Sequence, residues 1–207
     1  MALIFPSPVL CLVTNRKMLS VGSLPEVIGK AVSGGVNMVQ IREKDLSHDA
    51  LIKLVGNIVN SVQDRALVAV NTDKSDHVFE GVDIIHRAES SLGLPTPGIV
   101  GIGRSVHSAQ AAIQAEKCGA DYLIAGSVFE TGSHPGEKGR GIAFIRTVVE
   151  SVSTPVIAIG GINASRTRQI IEVGAVGIAV VSAILGSSDP EQAAAKLVRS
   201  MNPDKIN

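Results

Sequence analysis

Short apolar runs alternate with longer amphipathic stretches along the whole of this chain. The runs are Val9–Val13, Met38–Arg42, Leu67–Val70, Val82–His86, Val100–Arg104, Tyr122–Ala125, Val156–Ile159 and Ile178–Val181. They are rich in Val, Ile, Ala and Gly, which suits parallel strands buried on both faces. Between them the spacing turns helical. In Ala50–Val62 the residues Leu51, Leu54, Val55, Ile58 and Val62 share one face, behind a capping Ser47. Further helices are expected over Pro25–Ser33, Ala109–Cys118, Ile142–Val152, Ser165–Val173 and Pro190–Met201. Ser108 and Asn163 serve as N-caps, Gly119 and Gly174 as stops, and Pro25 suits a first turn. Asp76–Phe79 predicts a weak, short helix, Ser90–Gly98 is too rich in Ser, Pro and Gly for a regular one, and Gly132–Gly141 is a long loop. Alternation through eight strands predicts an α/β fold, a single-domain (β/α)8 TIM barrel over residues 1–207. An open doubly wound sheet is the rival architecture.

Two of the runs end in turns with chemical meaning. Pro155 to Asn163 closes on Gly160-Gly161, and Gly177 to Ile184 closes on Val181-Ser182. Strand, glycine turn, helix, strand, small polar turn is the arrangement by which the last two units of such a barrel bind a phosphate. Glycines let the backbone approach the ligand, and peptide N–H groups then donate to it. The substrate is therefore expected to carry a phosphate, held by Gly160, Gly161, Val181 and Ser182.

Composition narrows the partners. Nineteen basic residues balance nineteen acidic ones, so no basic surface for nucleic acid or an anionic membrane is expected. One Tyr, four Phe and no Trp leave little for base stacking. Cys11 and Cys118 are too few for a disulfide framework or a cysteine zinc site. No apolar run approaches membrane-spanning length, and the apolar Met1–Leu12 lacks the basic flank and cleavage site of a signal peptide; the cytoplasm is the default location.

Active sites of this fold lie at the C-terminal ends of the strands. There the second run carries Gln40, Arg42 and Lys44, which alternation points the same way and which are costly to bury without a ligand or partners. The third ends in Asn71-Thr72-Asp73 and the fourth in His86-Arg87. The fifth carries Ser105 and His107, and the sixth carries Ser127, Glu130 and Thr131, followed by Ser133 and His134. Arg42 suits a carboxylate or phosphate of the ligand, with a salt bridge to Glu43 or Asp73 as the alternative.

These segments resemble a known family. Val39 to Lys44 resembles the Q-L-R-x-K segment of thiamine phosphate synthases. Gly119-Ala120-Asp121-Tyr122 and Gly126 to Thr131 resemble that family's G-A-D-Y and G-P-I-F-P-T stretches, and the two phosphate turns match as well. The resemblance implies a barrel that joins a hydroxymethylpyrimidine pyrophosphate to a thiazole phosphate with Mg²⁺. Departures are equally clear. Thr72 stands where an N-D-R motif has its metal aspartate, and the second metal aspartate falls on Ala88 or Ser91. Thr131-Gly132-Ser133-His134 replaces a T-x-T-K clamp and lacks its lysine.

Such departures resemble the TenI-type thiazole tautomerases of the same superfamily, as do Ile85 to Arg87, Ile102 to Ser108, Gln114 to Lys117, Val128 to Thr131 and Gly139 to Gly141. That branch implies proton transfer aromatising a thiazole carboxylate phosphate, with no cofactor or metal and a homo-oligomeric assembly. Its acid/base histidine is Ser127 here, so Ser127 is expected to work with His134 or His86. The resulting expectation is a tautomerase. Thiamine phosphate synthase, which alone would require Mg²⁺, and a non-catalytic binder of thiazole or thiamine phosphate are the alternatives.

Overall fold

A computed structural model describes residues 5–73, 79–91, 101–132, 136 and 138–201. Eight parallel strands close into one barrel in sequence order: β1 (Val9–Val13), β2 (Met38–Ile41), β3 (Leu67–Asn71), β4 (Ile84–Arg87), β5 (Gly101–Val106), β6 (Tyr122–Gly126), β7 (Val156–Ile159) and β8 (Gly177–Val180). Closure is made by β1 and β8, with Val9 opposite Gly177 and Leu12 opposite Val180. The helices are α1 (Leu24–Ser33), α2 (His48–Val62), α3 (Ala109–Lys117), α4 (Gly141–Ser151), α5 (Ala164–Glu172), α6 (Ser182–Leu185) and α7 (Pro190–Met201). This is the (β/α)8 barrel expected from the sequence; the open sheet is excluded by the β1–β8 pairing.

Period-two alternation divides the core in two. Inside the barrel pack Val9, Cys11, Val13, Met38, Ala69, Ile84, Tyr122, Ile124, Ile157 and Ala179, with Phe5 against them at the N-terminal end. Outward-facing Leu10, Leu12, Val39, Ile41, Val68 and Ile85 meet the helices, including Ile28, Val55 and Ile58. Burial pushes the Cys11 thiol up to about 12, so it acts as a small apolar core residue. Cys118 is exposed and free.

Local signals place the helices. Ser47, Ser108 and Asn163 accept hydrogen bonds from the backbone N–H groups of Ala50, Ala111 and Arg166, as expected of N-caps. Two short elements lie outside the expected set: a 3₁₀ turn at Arg16–Met18 and α6 directly after β8. Both are too short for periodicity to register. Strand β5 runs two residues past Arg104, because Ser105 turns into the barrel mouth and Val106 into the helical layer. The expected short helix at Asp76–Phe79 lies largely outside the described residues, as does most of Ser90–Gly98. No helix among the described residues is long and apolar enough to cross a membrane.

Candidate functional site

A cavity of about 580 Å³ opens at the C-terminal ends of the strands. Its wall includes Thr14 and Asn15 after β1, Gln40 of β2 with Arg42 and Lys44 after it, Asn71 of β3, Ser105 of β5, Ser127 after β6, Gly160 and Gly161 after β7, and Val181 and Ser182 after β8.

The β7 turn is built for close backbone approach. Gly160 has φ 110° and Gly161 φ 61°, conformations that L side chains rarely adopt. A Cβ on Gly160 would stand 2.6 Å from Ser127 Cβ, and one on Gly161 would overlap the Glu130 carbonyl oxygen. The neighbouring strand end is strapped down: Val128 N–H donates to the Ile159 carbonyl at 2.9 Å and Phe129 N–H to that of Gly160 at 3.1 Å. Arg166 donates to the Gly161 carbonyl at 2.7 Å while its guanidinium covers the Phe129 ring at 4.6 Å. Beside this turn, Val181 leads into α6. The two turns line one flank of the cavity with main chain, as a phosphate site requires.

Across β1 lies a cationic flank. Glu43 is buried, and its partner is Arg16, which meets it through both the backbone N–H at 2.9 Å and the guanidinium at 2.7 Å. Arg16 also forks onto Asp45 at 2.7 and 2.9 Å; with Lys17 it holds the Asp45 carboxyl well below the usual range. The Arg42–Glu43 salt bridge weighed from sequence is therefore absent. Arg42 N–H instead donates to Thr14 Oγ1 at 2.9 Å, and the guanidinium, with no hydrogen bond or ion pair among the described residues, lines the cavity with Lys44. Beneath them the buried Gln40 Oε1 has no donor among the described residues, an acceptor suited to a ligand N–H.

On the β4–β6 side, His86 is fully buried. Its Nδ1 lies 2.9 Å from Tyr122 Oη and its Nε2 2.9 Å from Ser105 Oγ. Burial first, then Arg42 and Arg104, pushes its pKa down to about 3. His107 is engaged with Glu89, whose carboxylate accepts from its backbone N–H at 2.7 Å and faces its Nδ1 at 2.7 Å. Ser127 Oγ makes no hydrogen bond to a histidine among the described residues.

Magnesium, implied by the synthase resemblance, is poorly matched by these side chains. It favours one or two carboxylates beside phosphate oxygens. Thr72 and Ala88 offer none, Asp73 accepts from Ala88 N–H at 3.3 Å, and Glu89 is committed to His107. No group of three or more His, Cys, Asp or Glu among the described residues could hold a metal ion.

Of the residues singled out from sequence, Gln40, Arg42, Lys44, Asn71, Ser105, Ser127, Thr131, Gly160, Gly161, Val181 and Ser182 all line the cavity. His86 does not; it sits behind Ser105. Ser133 and His134 lie outside the described residues. Thr14 and Asn15 were missed, although the strand-end rule applied to β2–β6 would have found them at the end of β1. Tyr122 was not singled out; its hydroxyl lies inside the barrel, where it meets His86.

The comparisons with known proteins agree on a family. A thiamine monophosphate synthase profile matches residues 10–184. The chain is 35% identical over 195 residues to the thiamine-phosphate synthase of Syntrophomonas wolfei, covering 91% of this chain and 93% of that one. It is 36% identical over 206 residues to that of Chlorobium luteolum, covering 95% and 94%. The structure of a thiamine phosphate pyrophosphorylase from Pyrococcus furiosus superposes with a TM-score of 0.82 at 31% identity, over 95% of this chain and 96% of that one. These relatives overturn the tautomerase, and with it the isomerase class, expected from the departures at Thr72, Ala88, Ser91 and Ser127. The site adds a physical reason: His86 is buried, engaged at both nitrogens and neutral near pH 7, so it cannot serve Ser127 as proton carrier. Profile, relatives and fold together place this chain in the thiamine monophosphate synthase family.

Proposed function

We propose that this chain is a thiamine phosphate synthase, joining a hydroxymethylpyrimidine pyrophosphate to a thiazole phosphate and releasing pyrophosphate. The observation that carries the reading is the pairing of two anion-seeking flanks in one cavity. Main-chain turns at Gly160-Gly161 and Val181-Ser182 stand on one side of β1, and the guanidinium of Arg42 with Lys44 stands on the other. A transfer between a phosphate ester and a pyrophosphate ester needs two such places. The relatives named thiamine-phosphate synthase support the same assignment.

In this reading the glycine turn and the Val181-Ser182 turn hold the thiazole phosphate. Arg42 and Lys44 offset the charge that grows on the departing pyrophosphate, as preorganised cations do best in a partly closed site. The ester C–O bond breaks, its electron pair leaves with pyrophosphate, and the thiazole nitrogen forms the new C–N bond. Gln40 Oε1 and Asn71 orient the pyrimidine from the floor and the β3 rim. The carboxylates among the described residues do not assemble a magnesium site, and in this reading the anions are met by guanidinium, ammonium and peptide N–H groups. Neutral net charge and the lack of a membrane-spanning helix among the described residues fit a small-molecule substrate in the cytoplasm, with no nucleic acid or membrane partner; a homo-oligomer completes the reading.

The test is product formation from the two substrates by purified protein, followed by chromatography of thiamine phosphate and assay of pyrophosphate. Equimolar appearance of both is the expected result. Tight binding of thiazole phosphate with no product would overturn it in favour of a non-catalytic binder.

A further inference from the structure

Three groups form a chain from the barrel interior to the cavity wall: Tyr122 Oη, the His86 imidazole and Ser105 Oγ, each link 2.9 Å. Tyr122 and His86 are fully buried, and Ser105 lines the cavity. The direction of the hydrogen bonds follows from satisfaction of the donors. His86 is the one polar partner of the Tyr122 hydroxyl among the described residues. Had His86 carried its hydrogen on Nδ1, it would donate to the phenol oxygen and leave the phenol hydrogen buried with no acceptor, a costly arrangement. With the hydrogen on Nε2, every group is served. Tyr122 O–H donates to Nδ1, Nε2–H donates to Ser105 Oγ, and the Ser105 hydrogen is turned out to the cavity. Burial and the facing charges of Arg42 and Arg104 oppose the doubly protonated form, and burial holds Tyr122 as a neutral phenol.

We propose that Tyr122 and His86 are positioning residues that fix Ser105 as a hydrogen-bond donor, so that the β5 side of the cavity selects a ligand with an acceptor atom there, such as an unprotonated ring nitrogen. A serine alone rotates and serves donors and acceptors alike; here the imidazole N–H takes one of its two acceptor lone pairs and turns the hydroxyl hydrogen toward the cavity. The inference deepens the proposed function and rests on it in its kinetic test alone.

Two measurements test it. The first uses NMR of the wild-type protein carrying nitrogen-labelled histidine and depends on no assigned activity. The expected spectrum has His86 Nδ1 as the bare nitrogen and Nε2 as the protonated one, unchanged between about pH 5 and about pH 8. A bare Nε2, or an imidazolium in that range, overturns the proposal. The second is kinetic. Tyr122→Phe keeps the ring and removes only the hydroxyl, and Ser105→Ala removes the donor. Both are expected to lower kcat about tenfold while KM for thiazole phosphate stays within about twofold, since the phosphate is held at the other flank. His86→Gln, which keeps an N–H reaching toward Ser105, is expected to recover much of what His86→Leu loses. A Tyr122→Phe protein with a lower melting temperature but unchanged kcat overturns the proposal and leaves a structural role. If the wild type makes no thiamine phosphate, the proposed function fails, and the NMR measurement still decides this inference.

Discussion

Gly103 of β5 lies opposite Tyr122 of β6, and the Tyr122 ring occupies the space where a side chain at position 103 would be. A Cβ built on Gly103 overlaps the Tyr122 ring and hydroxyl. The glycine is thus a volume requirement rather than a conformational one, and it sets the ring that reaches His86. Overpacking a barrel interior costs about 1–3 kcal/mol. Gly103→Ala should therefore lower the melting temperature by ~2–12 °C at this chain length. Calorimetric melting checks it, and an unchanged midpoint would mean that the ring has room to move.

The barrel was legible because β1, β3, β6 and β7 are short apolar runs that recur between helical stretches through eight units. The phosphate turn was legible because adjacent glycines at a strand end have few other uses. The role of His86 was not legible. A polar strand-end residue reads as facing ligand, whereas this one faces Tyr122, 36 residues away, through space that only Gly103 leaves open. Likewise the freedom of Arg42 depends on Arg16 reaching Glu43 over 27 residues, and no local pattern encodes that.

The two glycines of the β7 turn should be intolerant of any side chain. At φ 110° an alanine at position 160 is strained and meets Ser127 Cβ at 2.6 Å. Strain of this kind costs about 1–3 kcal/mol, and relieving it moves the peptide N–H groups off the ligand. Gly160→Ala should weaken inorganic phosphate binding about tenfold or more, by isothermal titration, with the fold retained by circular dichroism.

Arg42 should separate binding from stability. Its carboxylate neighbour Glu43 is already paired with Arg16, so removing the Arg42 side chain leaves no buried charge uncompensated. Arg42→Ala is expected to lower affinity for pyrophosphate about tenfold, the loss typical of one charge-assisted contact, with the melting temperature nearly unchanged. A large fall in melting temperature would show that the guanidinium holds the barrel rather than the ligand.

His86 gives acid lability a defined sign. Its folded pKa is pushed from 6.5 down to about 3, so the folded state resists protonation while the unfolded chain accepts it. The stability of the neutral form is complete above about pH 6.5 and falls as pH drops toward about 3, by up to about 1.4 kcal/mol per pH unit for one proton. Glu26 and Glu116, held low by backbone N–H bonds, add their own loss only below the ordinary carboxylate range. Denaturant titrations between about pH 6.5 and about pH 5, run on the wild type beside His86→Gln, therefore read this histidine against the carboxylates. His86→Gln should flatten the slope there, and a slope retained in that variant would place the proton elsewhere.

Removal of divalent metal should leave ligand binding intact. The positions that would supply magnesium carboxylates are Thr72 and either Ala88 or Ser91, and the nearby acids already hold partners, Asp73 the Ala88 N–H and Glu89 His107. A hard cation gains little from hydroxyl and carbonyl oxygens without a carboxylate. The β7–β8 turns and Arg42 need no metal to meet an anion, since peptide N–H groups and guanidinium bind phosphate directly. Titrations of inorganic pyrophosphate with excess chelator and with magnesium are expected to give affinities within about threefold of each other. A tenfold or larger gain on adding magnesium would mean that ligand binding recruits Asp73 or Glu89 from their present partners, and Asp73→Asn would then abolish the gain.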